Sequence, residues 1–359
     1  MSSTRAIVFH GPGEPLVLRE FRRCEAPAGG LLARVAACTL CGSDLHSVEG
    51  RRTVAVPTIL GHEILGVVEA FGEGAARTDA AGDELREGDR ITWAIVAACG
   101  ACVFCERGLP QKCEYQTKYG HERIRPGLEL TGGLADRVQL VPGTAIFRVP
   151  EHLPDEVACP ANCATATVAA AFEAAGPVEG RDVLILGAGM LGITAVACAR
   201  ASGARTVIAC DRDAARAETA ARFGADAVAS PETLTETIAR TTSGRGIDAA
   251  IELTGAPESF EAALAAARVG GSIVLVGSVF PSRPVEVAPE RVVRGCLTIR
   301  GVHNYAPRHL KQAIDFLARA DVDRFKTLVG PWRPLTSLAG SSAIPPAAVG
   351  LRLGIRPFV

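Results

Sequence analysis

Three groups of residues in this sequence have types and spacings suited to chemistry. The densest is Cys99-Gly-Ala-Cys102-Val-Phe-Cys105-Glu-Arg-Gly-Leu-Pro-Gln-Lys-Cys113, a C-x2-C-x2-C-x7-C pattern. Cysteines two residues apart turn their sulfurs toward one ion, and the longer loop returns the fourth to close a tetrahedron with Zn–S distances of ~2.3 Å. Four thiolates leave no open coordination position, so such a site is structural. C-x2-C-x2-C also opens iron–sulfur motifs, but those carry a proline after the fourth cysteine, where this chain has Glu114. The second group is Cys41-Gly-Ser43-Asp44-Leu-His46 with Gly61-His62-Glu63. Cysteine and histidine suit zinc, and a site with three protein ligands keeps one position for a reactant. The third is Val183-Leu-Ile-Leu-Gly187-Ala-Gly189-Met190-Leu191-Gly192, a G-x-G-x-x-G turn between an apolar run and a helical one. There the first glycine permits the tight turn, the second lets backbone approach a pyrophosphate, and the third lets helix and strand pack closely. A second apolar run ends at Asp211, 19 residues beyond Gly192. A carboxylate there accepts from free adenosine ribose hydroxyls and repels a 2′-phosphate, favouring NAD over NADP, while the adjacent Arg212 pulls the other way.

These residues need elements to hold them. The first third of the chain reads as short β-runs, Ala6–Phe9, Leu31–Ala37 and Gly66–Ala70, divided by glycine and proline. From about Asp182 the texture changes. Apolar runs Val183–Leu186, Thr206–Ala209, Ala249–Leu253 and Ile273–Val276 alternate with helical stretches Gly192–Ser202, Ala214–Phe223 and Pro257–Arg268. That alternation predicts βαβ units and a parallel sheet covered on both faces. A last helix around His309–Ala320 precedes a Pro-, Gly- and Ser-rich tail. The expected class is α/β: a β-rich domain over 1–160 with a cysteine lobe at about 95–115, a doubly wound domain over 161–302, and a segment 303–359 returning to the first. At 359 residues the chain is long enough for two cores, and 48% hydrophobic residues supply them. A net charge of −1 and 5% aromatics provide neither a field nor stacking platforms for nucleic acid. No apolar stretch approaches membrane-spanning length and no signal-peptide core follows the N-terminus, so neither membrane nor export is expected. The expected compartment is the cytoplasm, where thiols stay reduced. Seven of the 12 cysteines lie before residue 120, which directs attention to metal rather than disulfides.

On these motifs, in this order, the sequence resembles the zinc-dependent alcohol dehydrogenases of the medium-chain dehydrogenase/reductase family over nearly its whole length. The resemblance implies a GroES-like catalytic domain and a Rossmann NAD-binding domain. It implies two zinc ions per chain. The catalytic zinc maps to Cys41, His62 and, in Ala161-Asn-Cys163-Ala-Thr-Ala-Thr167, Cys163, with Cys159 a nearby rival; the structural zinc maps to Cys99, Cys102, Cys105 and Cys113. The family's proton relay maps to Ser43, beside the alcohol oxygen, and His46, which passes the proton to solvent, with a cofactor ribose hydroxyl joining them. Asp44 corresponds to the carboxylate that orients the ligand histidine, and Glu63 to the acid behind the metal. Gly187, Gly189, Met190, Leu191, Gly192 and Asp211 correspond to the NAD fingerprint, with Thr167 at a helix start and Arg212 and Arg216 near the adenosine. Arg352 corresponds to a basic residue that reaches the pyrophosphate. The implied reaction is hydride transfer between an alcohol and a nicotinamide, reversible to reduction of an aldehyde or ketone, in a homodimer or homotetramer.

The chain departs from the family in two places. Ile344-Pro345-Pro346 interrupts the region where a helix ordinarily runs before the final strand. The run of residues 108–121, with Ala161–Thr167 and Gly301-Val-His-Asn-Tyr, resembles a bacterial clade associated with phosphonate metabolism. Arg52 and Lys118 fall where apolar residues line the substrate pocket in the family, so two cations there would suit a carboxylate, phosphate or phosphonate on the substrate. The alternatives are a solvated rim position for both side chains, a zinc-free quinone or enoyl reductase, or a non-catalytic NAD-binding protein of the same fold. The last two sit poorly with complete ligand sets.

Overall fold

The computed structural model describes residues 3–21 and 24–358. The chain divides into two compact units, one formed by residues up to Ala166 with those from Ala306 onward, the other by Thr167–Tyr305.

The first unit is organised by the ten-residue strand Leu31–Leu40, which pairs antiparallel with Glu63–Phe71, Arg137–Leu140 and Arg352–Arg356. Arg90–Trp93, Ile146–Arg148 and Val329–Pro334 extend the sheet. Leu31, Val35, Ile64, Ile91, Trp93, Val138, Leu140 and Ile355 are buried in its core. One end of the central strand pair feeds chemistry from both strands. Leu31–Leu40 runs out at Cys41, the N-cap of the helix Gly42–Val48. Its partner begins at Glu63, opposite Thr39, directly after His62. Gly61 precedes them with φ +87°, and a Cβ there would lie 2.7 Å from Cys38 Sγ, so the approach to His62 requires glycine. The segment containing Pro345 and Pro346 forms no helix or strand; chain order resumes in Arg352–Arg356, where Leu353 faces Leu40 and Ile355 faces Cys38. Proline's missing N–H and fixed φ account for the break.

The second unit is a six-stranded parallel sheet. Its strands are β1 (Asp182–Leu186), β2 (Thr206–Cys210), β3 (Ala227–Ala229), β4 (Ile247–Glu252), β5 (Ala267–Leu275) and β6 (Thr298–Gly301). They lie in the order 3-2-1-4-5-6, with helices such as α1 (Met190–Ala201) and α2 (Ala214–Arg222) between them. Leu184, Ile208, Ala250 and Ile273 are fully buried, as expected where helices cover a parallel sheet. Strand order reverses between β1 and β4, the place where doubly wound sheets open a crevice for dinucleotides. No helix among the described residues is long and apolar enough to cross a membrane.

Candidate active site

Cys41, His62 and Cys163 converge in the first unit, their ligand atoms all within 4.8 Å of one another. Donors ~2.0–2.3 Å from one ion sit roughly 3.5 Å apart at tetrahedral corners, so the set fits zinc and leaves a fourth corner. Cys41 Sγ lies 3.0 Å from His62 Nε2 and 2.9 Å from Ser43 Oγ, and Ser43 Oγ is 3.4 Å from the same Nε2. Ser43 thus borders the donor set, and His46 follows one turn later on the same helix, its Nδ1 3.6 Å from the Glu49 carboxylate. Asp44 is buried and does three things at once. It accepts from Cys41 N at 3.0 Å, from Gly61 N at 3.1 Å and from His62 Nδ1 at 3.2 Å. The last contact puts the His62 proton on Nδ1 and frees Nε2 for a metal, while the other two tie both ligand segments together. Hydrogen bonding from Cys163 holds the Cys41 thiol well below its usual range, with His62 assisting against burial. Asp44 and the Cys41 sulfur hold His62 well above its usual range although burial opposes them.

Cys163 follows the 3₁₀ turn Cys159–Asn162. Cys159 is buried elsewhere, its Sγ donating to Glu63 O at 3.2 Å, so of the two candidate third ligands only Cys163 joins the donor set. Asn162, between them, is a residue the sequence reading missed. Its Nδ2 donates to His62 O and Trp93 O, each at 3.0 Å, and its Oδ1 accepts from Ile64 N at 3.2 Å. That side chain staples the Cys163 turn to the strand carrying His62. An amide beside a ligand cysteine, in an otherwise apolar run, was its one sequence signal.

Glu63 is fully buried behind the donor set. Arg352 Nε reaches its carboxylate at 2.9 and 3.1 Å, Arg352 Nη2 at 3.0 Å, and Thr39 Oγ1 donates to it at 2.7 Å. Burial raises the Glu63 carboxyl and Arg352 opposes the rise. The two residues stand 289 positions apart, and no local pattern announces their partnership.

The cysteine lobe closes on itself. The four Sγ atoms lie within 4.8 Å of one another, with Cys102 to Cys105 at 3.5 Å and Cys99 to Cys105 at 4.0 Å. Tetrahedral zinc at ~2.3 Å sets its sulfurs ~3.8 Å apart, so the cage has the right size. Backbone N–H groups of Cys99 and Tyr115 point at Cys113 Sγ, at 3.2 and 3.4 Å, and N–H groups of Glu114 and Cys105 bring Cys102 down to about 6. Donors aimed at sulfur favour thiolate, the form that binds metal.

In the second unit the glycine turn joins β1 to α1. A Cβ on Gly192 would sit 1.7 Å from Gly187 O, and one on Gly189, the helix N-cap, would meet open space. Gly192 therefore permits close packing, and Gly189 leaves room at a helix N-terminus. Met190 is buried and Leu191 half-buried in the first turn of α1. Asp211 stands at the end of β2, where Oδ2 accepts from Ala188 N at 2.7 Å and Oδ1 from Asp213 N at 2.9 Å. The acid and the turn are thus one hydrogen-bonded structure. Arg212 and Arg216 are exposed, Arg216 within 3.7 Å of Asp213. Thr167 is half-buried in the helix Ala164–Ala175.

Arg52 and Lys118 are half-buried, and each lies within electrostatic reach of the other. Burial, then Arg52, brings the Lys118 amine down to about 8, against the pull of Cys163 and Cys41. His121, another residue missed from sequence, joins them. Its ring centroid is 5.1 Å from that of His62, and its Nδ1 donates to Tyr119 O at 2.9 Å. Burial first, then His62, Arg52 and Lys118, push its imidazole well below the usual range.

Residues 27–151 match the alcohol dehydrogenase GroES-like domain family, and residues 191–319 match the zinc-binding dehydrogenase family. The chain is 32% identical over 314 residues to L-threonine 3-dehydrogenase of Pyrococcus horikoshii, covering 85% of this chain and 83% of that one. Among solved structures it superposes on an alcohol dehydrogenase from Thermotoga maritima with a TM-score of 0.89 and 27% identity, covering 99% and 100% of the two chains. A putative zinc-binding dehydrogenase from Sinorhizobium meliloti, solved with NADP, gives 0.85 and 26% over 99% and 100%.

Proposed function

This chain belongs to the zinc-binding alcohol dehydrogenases of the medium-chain family, enzymes acting on CH–OH groups, and from that membership we propose that it is an NAD-linked dehydrogenase holding two zinc ions, whose substrate is a small alcohol carrying an anionic group. The observation that carries the proposal is the convergence of Cys41, His62 and Cys163 beside the hydroxyl of Ser43, with a second complete cage at Cys99–Cys113. When bound, zinc supplies a Lewis acid that makes an alcohol acidic near neutral pH, and a nicotinamide takes the hydride. The protein's own part is positioning and proton handling. Ser43 Oγ accepts the alcohol proton, and His46, one helical turn on, delivers it to water. Asp44 keeps the His62 proton on Nδ1 throughout. Asp211 accepts from the free ribose hydroxyls of NAD; its negative charge is the ground for NAD over NADP, although one neighbour was solved with NADP. Arg352 reaches the pyrophosphate through Nη1, which Glu63 does not engage and which otherwise donates to Leu351 O at 3.4 Å, while Thr167 and Arg216 flank the cofactor. Residues 1–160 and 303–359 form the catalytic part on this reading, and 161–302 the cofactor part. The free state of all 12 cysteines suits a cytoplasmic enzyme, and its assembly is a homodimer or homotetramer.

Arg52 and Lys118 are the basis for an anionic substrate, because two cations sharing a half-buried site repel each other until an anion is bound. A phosphonate, as the resemblance to the phosphonate-associated clade implies, would meet that need, as would a carboxylate or phosphate. The test compares NADH formation from a neutral alcohol and its phosphonate-bearing analogue in wild type, Arg52→Ala and Lys118→Ala. The anionic alcohol should be preferred by wild type and lose selectively in both variants. A wild-type preference for the neutral alcohol, or equal losses on both, overturns the anionic substrate while leaving the dehydrogenase reading intact. No NADH from either alcohol overturns both.

A further inference from the structure

His121 has a hydrogen-bonding capacity that the fold leaves half used. Its Nδ1 faces the carbonyl oxygen of Tyr119, which can only accept, so that nitrogen carries the ring proton. Its Nε2 is therefore a lone-pair acceptor in the neutral ring. That atom is shielded from solvent and has no hydrogen-bond partner among the described residues. An orphan acceptor inside a protein is costly, and native structures tolerate few of them. The orphan lies beside the catalytic ligand, with ring centroids 5.1 Å apart, and not in a remote core.

The backbone holds His121 in this place. Gly120 precedes it with φ +74°, and a Cβ on Gly120 would lie 2.8 Å from Gly61 O and 2.9 Å from His62 Cβ. Gly120 N donates to Thr131 O at 2.7 Å and His121 N to Lys118 O at 3.1 Å. The turn is thus pressed against the segment that carries His62, and its side chain is delivered to the donor set by main-chain contacts on both sides.

We propose that His121 Nε2 is a specificity-determining acceptor that receives an O–H or N–H borne on the carbon next to the reacting carbinol, so that the enzyme prefers vicinal diols or amino alcohols to simple alkanols. The inference rests on the dehydrogenase reading of the zinc site and deepens it. It is independent of whether the substrate is also anionic. A site that buries an acceptor rejects the analogue lacking the donor, because binding that analogue leaves the acceptor permanently unpaired.

The experiment measures kcat/KM for 2,3-butanediol against 2-butanol, and for the phosphonate-bearing counterparts of each, in the zinc-loaded enzyme. Calorimetric Kd values of the same alcohols for the NADH-bound enzyme accompany the rates. Wild type should favour the donor-bearing member of a pair by about tenfold or more. His121→Phe should bring that ratio close to one in both rate and Kd, and His121→Gln, which keeps an acceptor, should retain most of it. A wild type without the preference overturns the proposal whether or not the variants fold. An unchanged ratio in His121→Phe, or equal losses in the Phe and Gln variants, overturns it as well. Absence of NADH from all four alcohols removes the dehydrogenase reading itself, and the proposal with it.

Discussion

Replacing Arg352 by methionine should damage the fold more than removing both members of its ion pair. Glu63 is 0% exposed and Arg352 7% exposed, so neither charge has water to fall back on. The guanidinium supplies three contacts of 2.9–3.1 Å to the carboxylate, and among the described residues Thr39 Oγ1 supplies the other hydrogen bond to it. Arg352→Met therefore leaves a buried carboxylate facing one hydroxyl. Breaking a buried pair in this way costs ~3–5 kcal/mol, because the surviving charge is uncompensated. In a unit of roughly 150–250 residues each kcal/mol moves Tm by about 2–4 °C, so the variant should melt about 6–20 °C below wild type. Glu63→Gln combined with Arg352→Met removes both charges and keeps an acceptor for Thr39. That double variant should recover a substantial part of the loss, a coupling of the sign expected for groups in contact. The assay is thermal unfolding followed by circular dichroism, with zinc and buffer held constant across the cycle. If Arg352→Met melts within about 2 °C of wild type, or the double variant is no more stable than the single, the pair is not what keeps charge tolerable behind the metal site.

Cys41→Ala should remove about one zinc per chain and abolish turnover while the cysteine lobe keeps its own; metal analysis of Cys41→Ala and Cys113→Ala side by side checks that the two sites empty independently. Asp211→Ala should weaken NAD binding by the ~1.5–3 kcal/mol of a lost charge-assisted hydrogen bond and narrow the gap to NADP, as read from the two Kd values; an unchanged ratio would reduce Asp211 to a brace for the glycine turn. Asp182 is held below the usual carboxylate range, burial opposing and the Arg205 hydrogen bond prevailing. Its folded pKa lies below the unfolded one, so its contribution is present above about pH 4 and disappears as pH falls through the folded value. Asp182→Asn should therefore lower stability at pH 7 and flatten the decline below about pH 4, measured by urea midpoints at each pH.

The motifs were legible because they are local. C-x2-C-x2-C-x7-C, G-x-G-x-x-G and C-x-S-D-x-H each fold within a single turn or loop, so spacing alone states which atoms converge. Strand and helix positions in the doubly wound unit were legible for the same reason: Val183–Leu186 and Ala214–Phe223 differ from the observed β1 and α2 by one residue at an end. The short β3 and β6 are harder to read, β3 being three residues long and β6 four residues of mixed polarity. What was hidden depends on distant sequence. Nothing near residue 352 announces a carboxylate 289 positions earlier, and nothing around Asn162 says that its amide will bridge two strands. His121 was hidden differently. A histidine eight residues past the fourth cysteine looks like any loop histidine until the turn at Gly120 brings it against His62.

The final strand carries a consequence for how the protein is made. Arg352–Arg356 completes the sheet begun by Leu31–Leu40, so the first unit has one of its central pairings supplied by a strand made long after its partner. Contacts of such long sequence separation form late, after their loop-closure entropy has been met. The second unit is continuous between Thr167 and Tyr305 and can fold while the tail is still being translated. Until then the nascent first unit exposes the edge of Leu31–Leu40 and holds Glu63 without its counter-ion. A chain released before Arg352–Arg356 is made would have an intact nucleotide fold but an unfinished, aggregation-prone sheet edge, so that synthesis of this strand is a condition of metal-site integrity.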